Sequence, residues 1–257
     1  MKKLIFICLL LMAGSMFFAG CSNEPQQKKV RIAAAASLEQ VFVKQLIPAF
    51  NEKYPEIKIE GTYDSSGKLQ TQIENGLQAD IFFSAAEKQM NALIKSGYVK
   101  EENAKPLLKN SLVLITNSQD ADKFVEFKDI ALADRPAIGD PESVPAGQYA
   151  REALQKLGVW DQVKDKASLG TNVTEVLYWV AEGSAQAGIV YATDAAGNDK
   201  VRIAARLPQG VLAKDVVYPV GLLQSGSEKQ DAVKFYEFLQ SAEAAVIFKA
   251  SGFEIAG

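Results

Sequence analysis

From Val30 to the end of the chain, short apolar runs alternate with segments of helical spacing, and nothing else in the sequence constrains its fold as strongly. Such alternation buries strands between helices and predicts an α/β protein with mostly parallel sheets. VRIAAA (30–35) reads as a buried strand, and Leu38, Val41, Phe42, Leu46 and Phe50 follow with the spacing of one helix face. Pro48 is expected to kink or end that helix late. Residues 57–63 alternate like a strand, 67–75 form a short helix, 80–85 a strand, and 87–97 a helix closed by Gly97. A second unit of the same kind runs through strands at 110–116 and 136–140, a helix at 146–158, SLGT at 168–171, a helix from Val173 to Glu182, and strands at 187–193 and 201–207. A strand at 216–223 and helices at 228–240 and 242–250 close the chain.

No long Gly/Ser linker divides the units. The extended segments near 110–116 and 214–221 are the expected boundaries, and two crossings of that sort make a hinge. The 257 residues are enough for two lobes with real cores: 30–111 plus 218–257, and 112–217.

The first twenty residues belong to neither lobe. Lys2 and Lys3 precede an apolar run from Leu4 to Phe18, the length of a signal h-region and short of the ~20 residues a spanning helix needs. The run ends in Phe18-Ala19-Gly20-Cys21, which resembles a bacterial lipobox with Phe18 where Leu is more usual. Residues 1–20 are therefore expected to be an export signal. Cys21 is expected to carry a lipid, and 21–29 to form a polar tether between the membrane and the folded body. Cys8 leaves with the signal, so cysteine supplies neither catalysis nor a disulfide.

Composition removes whole classes of function. The chain contains no histidine, which excludes Ser-His-Asp and Cys-His nucleophiles, His-ligated zinc and imidazole bases. With 28 basic and 31 acidic residues it has no excess of positive charge for a nucleic acid.

Four places combine small residues, hydroxyls and a helix start. In AAAASLEQ, Ser37 stands three residues before Gln40, the spacing of a capping box. In TYDSSGKLQ, Ser65, Ser66 and Gly67 lie between a strand and a helix. In GDPESVPAGQY, Pro145 suits a first helical turn and leaves the N–H groups of Ala146 and Gly147 free. In GTNVTEV, Asn172 stands three before Glu175, with Val173 as an early N–H donor. Each turn alone is weak and reads first as a plain helix cap. Together, two per lobe at the carboxyl ends of strands, they have the makings of an oxyanion site between lobes. A fifth element is Tyr191, at the end of a strand in the second lobe.

Four blocks occur here in one order: AAAASL, SSGKLQTQIENGLQADIFFSA, GDPESVPAGQYAREALQKLG and GIVYATDA. In these, residues 30–256 resemble the molybdate-binding lipoproteins that serve ABC importers, within the two-lobed type II periplasmic binding proteins. The resemblance implies a receptor, not an enzyme, that captures molybdate, and tungstate with it, between two α/β lobes. It implies no cofactor and no directly ligated metal. The anion would be held by the hydroxyls and N–H groups of Ser37 and Ser66, the N–H groups of Ala146 and Val173, and the phenol of Tyr191. It also implies a permease partner, a monomer, and a place at the outer face of the cell membrane. Asp64 stands where the family usually carries a small residue, and it is expected to face solvent or cap the following turn.

A pocket of donors alone needs no lysine or arginine, because each charge-assisted hydrogen bond contributes about 1.5–3 kcal/mol. It also rejects hydrogen phosphate, whose proton would find no acceptor there. Two alternatives stay open at this point: a receptor for sulfate or another small anion, and a cell-surface enzyme using Asp64, Asp80, Asp140, Glu142 or Asp194 as acid and base.

Overall fold

The computed structural model describes residues 28–117 and 122–256; the export signal, Cys21 and most of the expected tether lie outside the described residues. Lys28 and Lys29, expected to end the tether, instead begin β1 (Lys28–Ala35), where they pair with Ile57 and Lys58. A helical stretch follows, made of a 3-10 turn (Ala36–Leu38), α1 (Glu39–Val41), a π turn (Phe42–Leu46) and α2 (Ile47–Lys53). Leu38, Val41, Phe42, Leu46 and Phe50 are all buried, as their spacing predicts. Pro48 does not end the stretch, which continues to Lys53. Proline lacks the N–H that would bond the carbonyl four residues earlier and clashes with it. A π turn, Phe42–Leu46, directly precedes α2, with Ile47 N–H bonded to the Phe42 carbonyl.

The first half continues with β2 (Ile57–Asp64), α3 (Ser66–Glu74), β3 (Ile81–Phe83), α4 (Glu87–Lys95) and β4 (Val99–Asn110). The chain then enters a second sheet through β5 (Leu112–Asn117), β6 (Pro136–Gly139), α5 (Pro145–Lys156), α6 (Trp160–Val163), β7 (Ser168–Gly170) and α7 (Val173–Ala181). It goes on to β8 (Ala187–Tyr191), α8 (Ala192–Ala196) and β9 (Val201–Arg206). The return brings β10 (Val216–Leu223), α9 (Gln224–Ser227), α10 (Gln230–Leu239), α11 (Ala242–Ala250) and β11 (Glu254–Ile255).

Two sheets result, in the orders β11-β4-β10-β3-β1-β2 and β7-β6-β8-β5-β9. They are mixed rather than mostly parallel, and this corrects the expectation. β1, β2 and β3 run parallel, but β10 lies antiparallel between β3 and β4; likewise β6, β7 and β8 are parallel while β5 is antiparallel to β8 and β9. The strands that break the pattern adjoin the crossings. A strand arriving from the other half is not turned round by a crossover helix, so the rule that makes βαβ units parallel does not act on it.

The core of the first half is an aromatic cluster on one face of its sheet. Phe42, Phe50, Phe83, Phe235 and Phe248 are fully buried, and Phe50 meets Phe235 at 4.8 Å between ring centroids. Each such side chain contributes about 1.5–3 kcal/mol by leaving water. This packing holds the carboxyl ends of β1 and β2 rigid, while those of β6, β7 and β8 are held by the second core. Every one of these five strands runs directly, or through a short turn, into a helical turn or helix, and the site is built at those five junctions.

Candidate oxyanion site

At the junctions, the backbone donors of each first helical turn can be followed one by one. In α3, Ser65 caps the helix by accepting the Lys68 N–H at 3.4 Å, and its carbonyl takes the Leu69 N–H at 3.0 Å. Gly67 N–H leaves the helix and bonds the Ser143 carbonyl of the other half at 3.1 Å. The Ser66 N–H remains over. In α5, Pro145 has no N–H and the first internal bond is from Gln148 N to Val144 O, so Ala146 and Gly147 keep theirs free. In α7, Asn172 Oδ1 accepts the Glu175 N–H at 3.0 Å, which leaves the Val173 N–H. The Glu175 carboxylate does reach back, but to Thr171 N at 2.6 Å and not to Asn172, so the expected box is closed one residue early.

Ser37 departs further from its expected role. It lies inside the 3-10 turn, whose N-cap is Ala35, and it caps nothing; its Oγ bonds the Tyr218 phenol at 3.0 Å. A capping box needs the hydroxyl outside the helix, and the chain turns two residues too soon for that. Ser66 is similarly placed: its Oγ accepts the Ala85 N–H at 2.9 Å. Because that bond uses a lone pair of Ser66, its proton is left for another acceptor.

Ser37, Ser66, Ala146, Val173 and Tyr191 are brought together on the wall of one cavity of ≈ 10 Å³, whose remaining lining is Ala35, Ala36, Asp64, Ser65, Ala85, Val144 and Pro145. No lysine or arginine lines it. The Tyr191 hydroxyl is buried there without any hydrogen-bond partner. Burial pushes the phenols of Tyr191 and Tyr218 well above the usual tyrosine range, so both stay protonated and able to donate. A donor buried without a partner costs free energy, and an arriving acceptor recovers it.

The match is set by the whole chain as well as by this cavity. Residues 30–254 fit the model of the bacterial extracellular solute-binding proteins. The chain belongs to that family. As a family member it shares 36% identity with the molybdate-binding protein ModA of Haemophilus influenzae, over 98% of this chain and 99% of that one. It is 37% identical, over 98% of both chains, to YvgL of Bacillus subtilis, which carries the provisional name of an ABC transporter substrate-binding lipoprotein. The periplasmic molybdate-binding protein of Azotobacter vinelandii superposes with a TM-score of 0.77, covering 89% of this chain and all of that one, at 23% identity. The architecture is accordingly that of a type II periplasmic binding protein, two α/β lobes joined by a two-segment hinge.

In this solute-binding protein the carboxylates of the enzymatic alternative are already engaged. Asp80 is buried, with Lys229 Nζ at 2.6 Å and Arg31 N at 2.8 Å. Asp140 accepts from Glu142 N and Ser143 Oγ within its own loop, and Glu142 pairs with Arg151 at 2.7 Å. Asp194 accepts the Tyr191 N–H at 3.2 Å, and burial pushes its carboxyl up to about 7 against the pull of that bond. Asp64 accepts Ser65 N at 2.7 Å, but the cap of α3 is Ser65 and not Asp64. It also lines the cavity rim, where the same oxygen meets Lys68 Nζ and Asn172 Nδ2 of the other half, both at 3.4 Å. Lys68 and Asn172 therefore offset part of this charge at the cavity wall.

Sequence reasoning missed Tyr218 and Asn110, which stand behind Ser37. A tyrosine in the apolar strand 216–223 carries no local sign of a hydroxyl partner 181 residues away.

Proposed function

We propose that this chain captures molybdate, and tungstate as a near-equal ligand, between its two lobes and hands it to the permease of an ABC importer. The lobes of this reading are 30–111 plus 218–257 and 112–217, and the anion is held by Ser37, Ser66, Ala146, Val173 and Tyr191. One observation carries the proposal: donors from helix starts in both sheets surround a single small space, with one buried phenol unpartnered and no cationic side chain on the wall. That is a chemistry for a fully deprotonated oxyanion. The names of the relatives direct the choice among oxyanions to molybdate. Exported by residues 1–20 and tethered by a lipid on Cys21, the receptor works as a monomer at the outer face of the membrane, without cofactor and without turning its ligand over.

Native mass spectrometry of the protein with equal molybdate, tungstate and sulfate tests this directly. One molybdate or tungstate per chain is expected, with sulfate in the minority. A sulfate adduct that dominates assigns the site to sulfate, and no adduct at all removes the proposal.

A further inference from the structure

Asn110 closes β4 where the chain first crosses between sheets, and its side-chain orientation is decided by its neighbours. Oδ1 accepts the Ser111 N–H at 2.9 Å, so Nδ2 is the donor, and it reaches Thr193 Oγ1 at 2.9 Å and Tyr218 Oη at 3.3 Å. Tyr218 sits fully buried in β10, the strand of the second crossing. Its oxygen already accepts from Asn110, and its own proton can go to Ser37 Oγ at 3.0 Å or to the Tyr191 phenol beside it. A phenol is more acidic than an alkanol, which favours donation to Ser37. With the phenol donating, Ser37 accepts from behind and keeps its proton for the cavity in front.

We propose that Asn110 and Tyr218 form a donor relay, Asn110 to Tyr218 to Ser37, that holds Ser37 as an obligate donor and so excludes oxyanions that carry a proton. Tyr218 does not line the cavity and is a positioning residue acting through Ser37. With Tyr218 donating, one lone pair of Ser37 is taken and its proton points forward, which disfavours receiving the proton of hydrogen phosphate. With a phenylalanine there, the hydroxyl is free to turn. Both halves of the relay lie on the strands that join the lobes, so the donor set of one lobe is held from the hinge itself. The inference rests on the oxyanion reading given above.

Titration calorimetry with molybdate, sulfate and phosphate at pH 7 tests it on wild type, Tyr218→Phe, Ser37→Ala and the double variant. Tyr218→Phe is expected to weaken molybdate binding about fivefold to tenfold and to narrow the preference for sulfate over phosphate, two ions of similar size, by about tenfold. In the Ser37→Ala background the same change is expected to alter molybdate affinity less than twofold, since the residue through which it acts is gone. An equal loss in both backgrounds, or none in either, overturns the relay while leaving the receptor standing. A wild type that binds none of the three ions removes both. Asn110→Ala, carried through the same two backgrounds, is expected to repeat the pattern more weakly; should Tyr218→Phe melt out in circular dichroism, this second pair decides.

Discussion

Ser66 receives a hydrogen bond from the Ala85 N–H and so has its proton to give, and Ser37, sharing one bond with the Tyr218 phenol, has its proton to give when that phenol donates. Losing either donor to a buried dianion forfeits about 1.5–3 kcal/mol, and Ser37→Ala or Ser66→Ala is expected to weaken molybdate binding roughly tenfold to a hundredfold in calorimetry, with the fold intact. The two differ in stability. Ser66→Ala also strands the Ala85 N–H, in a fully buried position, and is expected to destabilise the apo protein by about 1–3 kcal/mol in urea denaturation. Ser37 is partly exposed and its loss strands only the Tyr218 proton, so a smaller shift is expected. Tyr191 reverses this order. Its hydroxyl has no partner in the protein, so Tyr191→Phe is expected to leave apo stability unchanged or raise it by up to about 1 kcal/mol, while molybdate affinity falls about tenfold. A melting temperature that drops with Tyr191→Phe, or an affinity that does not, contradicts a hydroxyl kept unsatisfied for an incoming acceptor.

At the scale of elements, the helix starts were legible because their chemistry is local. Small residues, a hydroxyl and a proline within a few positions of a strand end mark free N–H groups whatever the rest of the chain does. The failures share the opposite cause. β4 was not foreseen at all: Val99–Asn110 carries five charged residues and Pro106, and it pairs on one side with β10, from beyond position 215, and on the other with only two residues of β11. Partners that distant leave no periodicity behind. The turn of α3 shows how one element serves the whole site. Gly67 donates its N–H to the Ser143 carbonyl across the lobes, and a Cβ at Gly67 would lie 2.2 Å from that carbonyl oxygen. Backbone contact this close admits no side chain. Gly67→Ala is expected to leave each lobe folded, with an unchanged circular dichroism spectrum, and to weaken molybdate binding at least tenfold by holding the lobes apart. Wild-type affinity in that variant would show that the approach of Gly67 to Ser143 is not needed for capture.

Across the whole molecule, three hydrogen bonds among the described residues span the cleft itself. Gly67 to Ser143, Asn172 to Asp64 and Gln89 to Gln148 at 3.2 Å cross it, beside Asn110 to Thr193 at the hinge. Each such bond adds only about 0.5–1.5 kcal/mol net, and closing also buries the unpartnered Tyr191 hydroxyl, which opposes them. These terms are small and opposed, so bonds to a ligand weigh heavily in the balance. The cavity of ≈ 10 Å³ is about the space of a single water, so the lobes must stand further apart than this both to admit a five-atom anion and to hold it. Neither the balance nor the size of the space can be read from residue order, since both arise from surfaces on opposite lobes. Small-angle scattering is expected to show a larger radius of gyration for the apo protein than for the same sample with saturating molybdate, and Gly67→Ala is expected to keep the larger value in both. Identical wild-type profiles with and without molybdate, alongside tight binding, would mean that the anion reaches its donors by a route that leaves the lobes still, and the two crossings would then be plain connections and not a hinge.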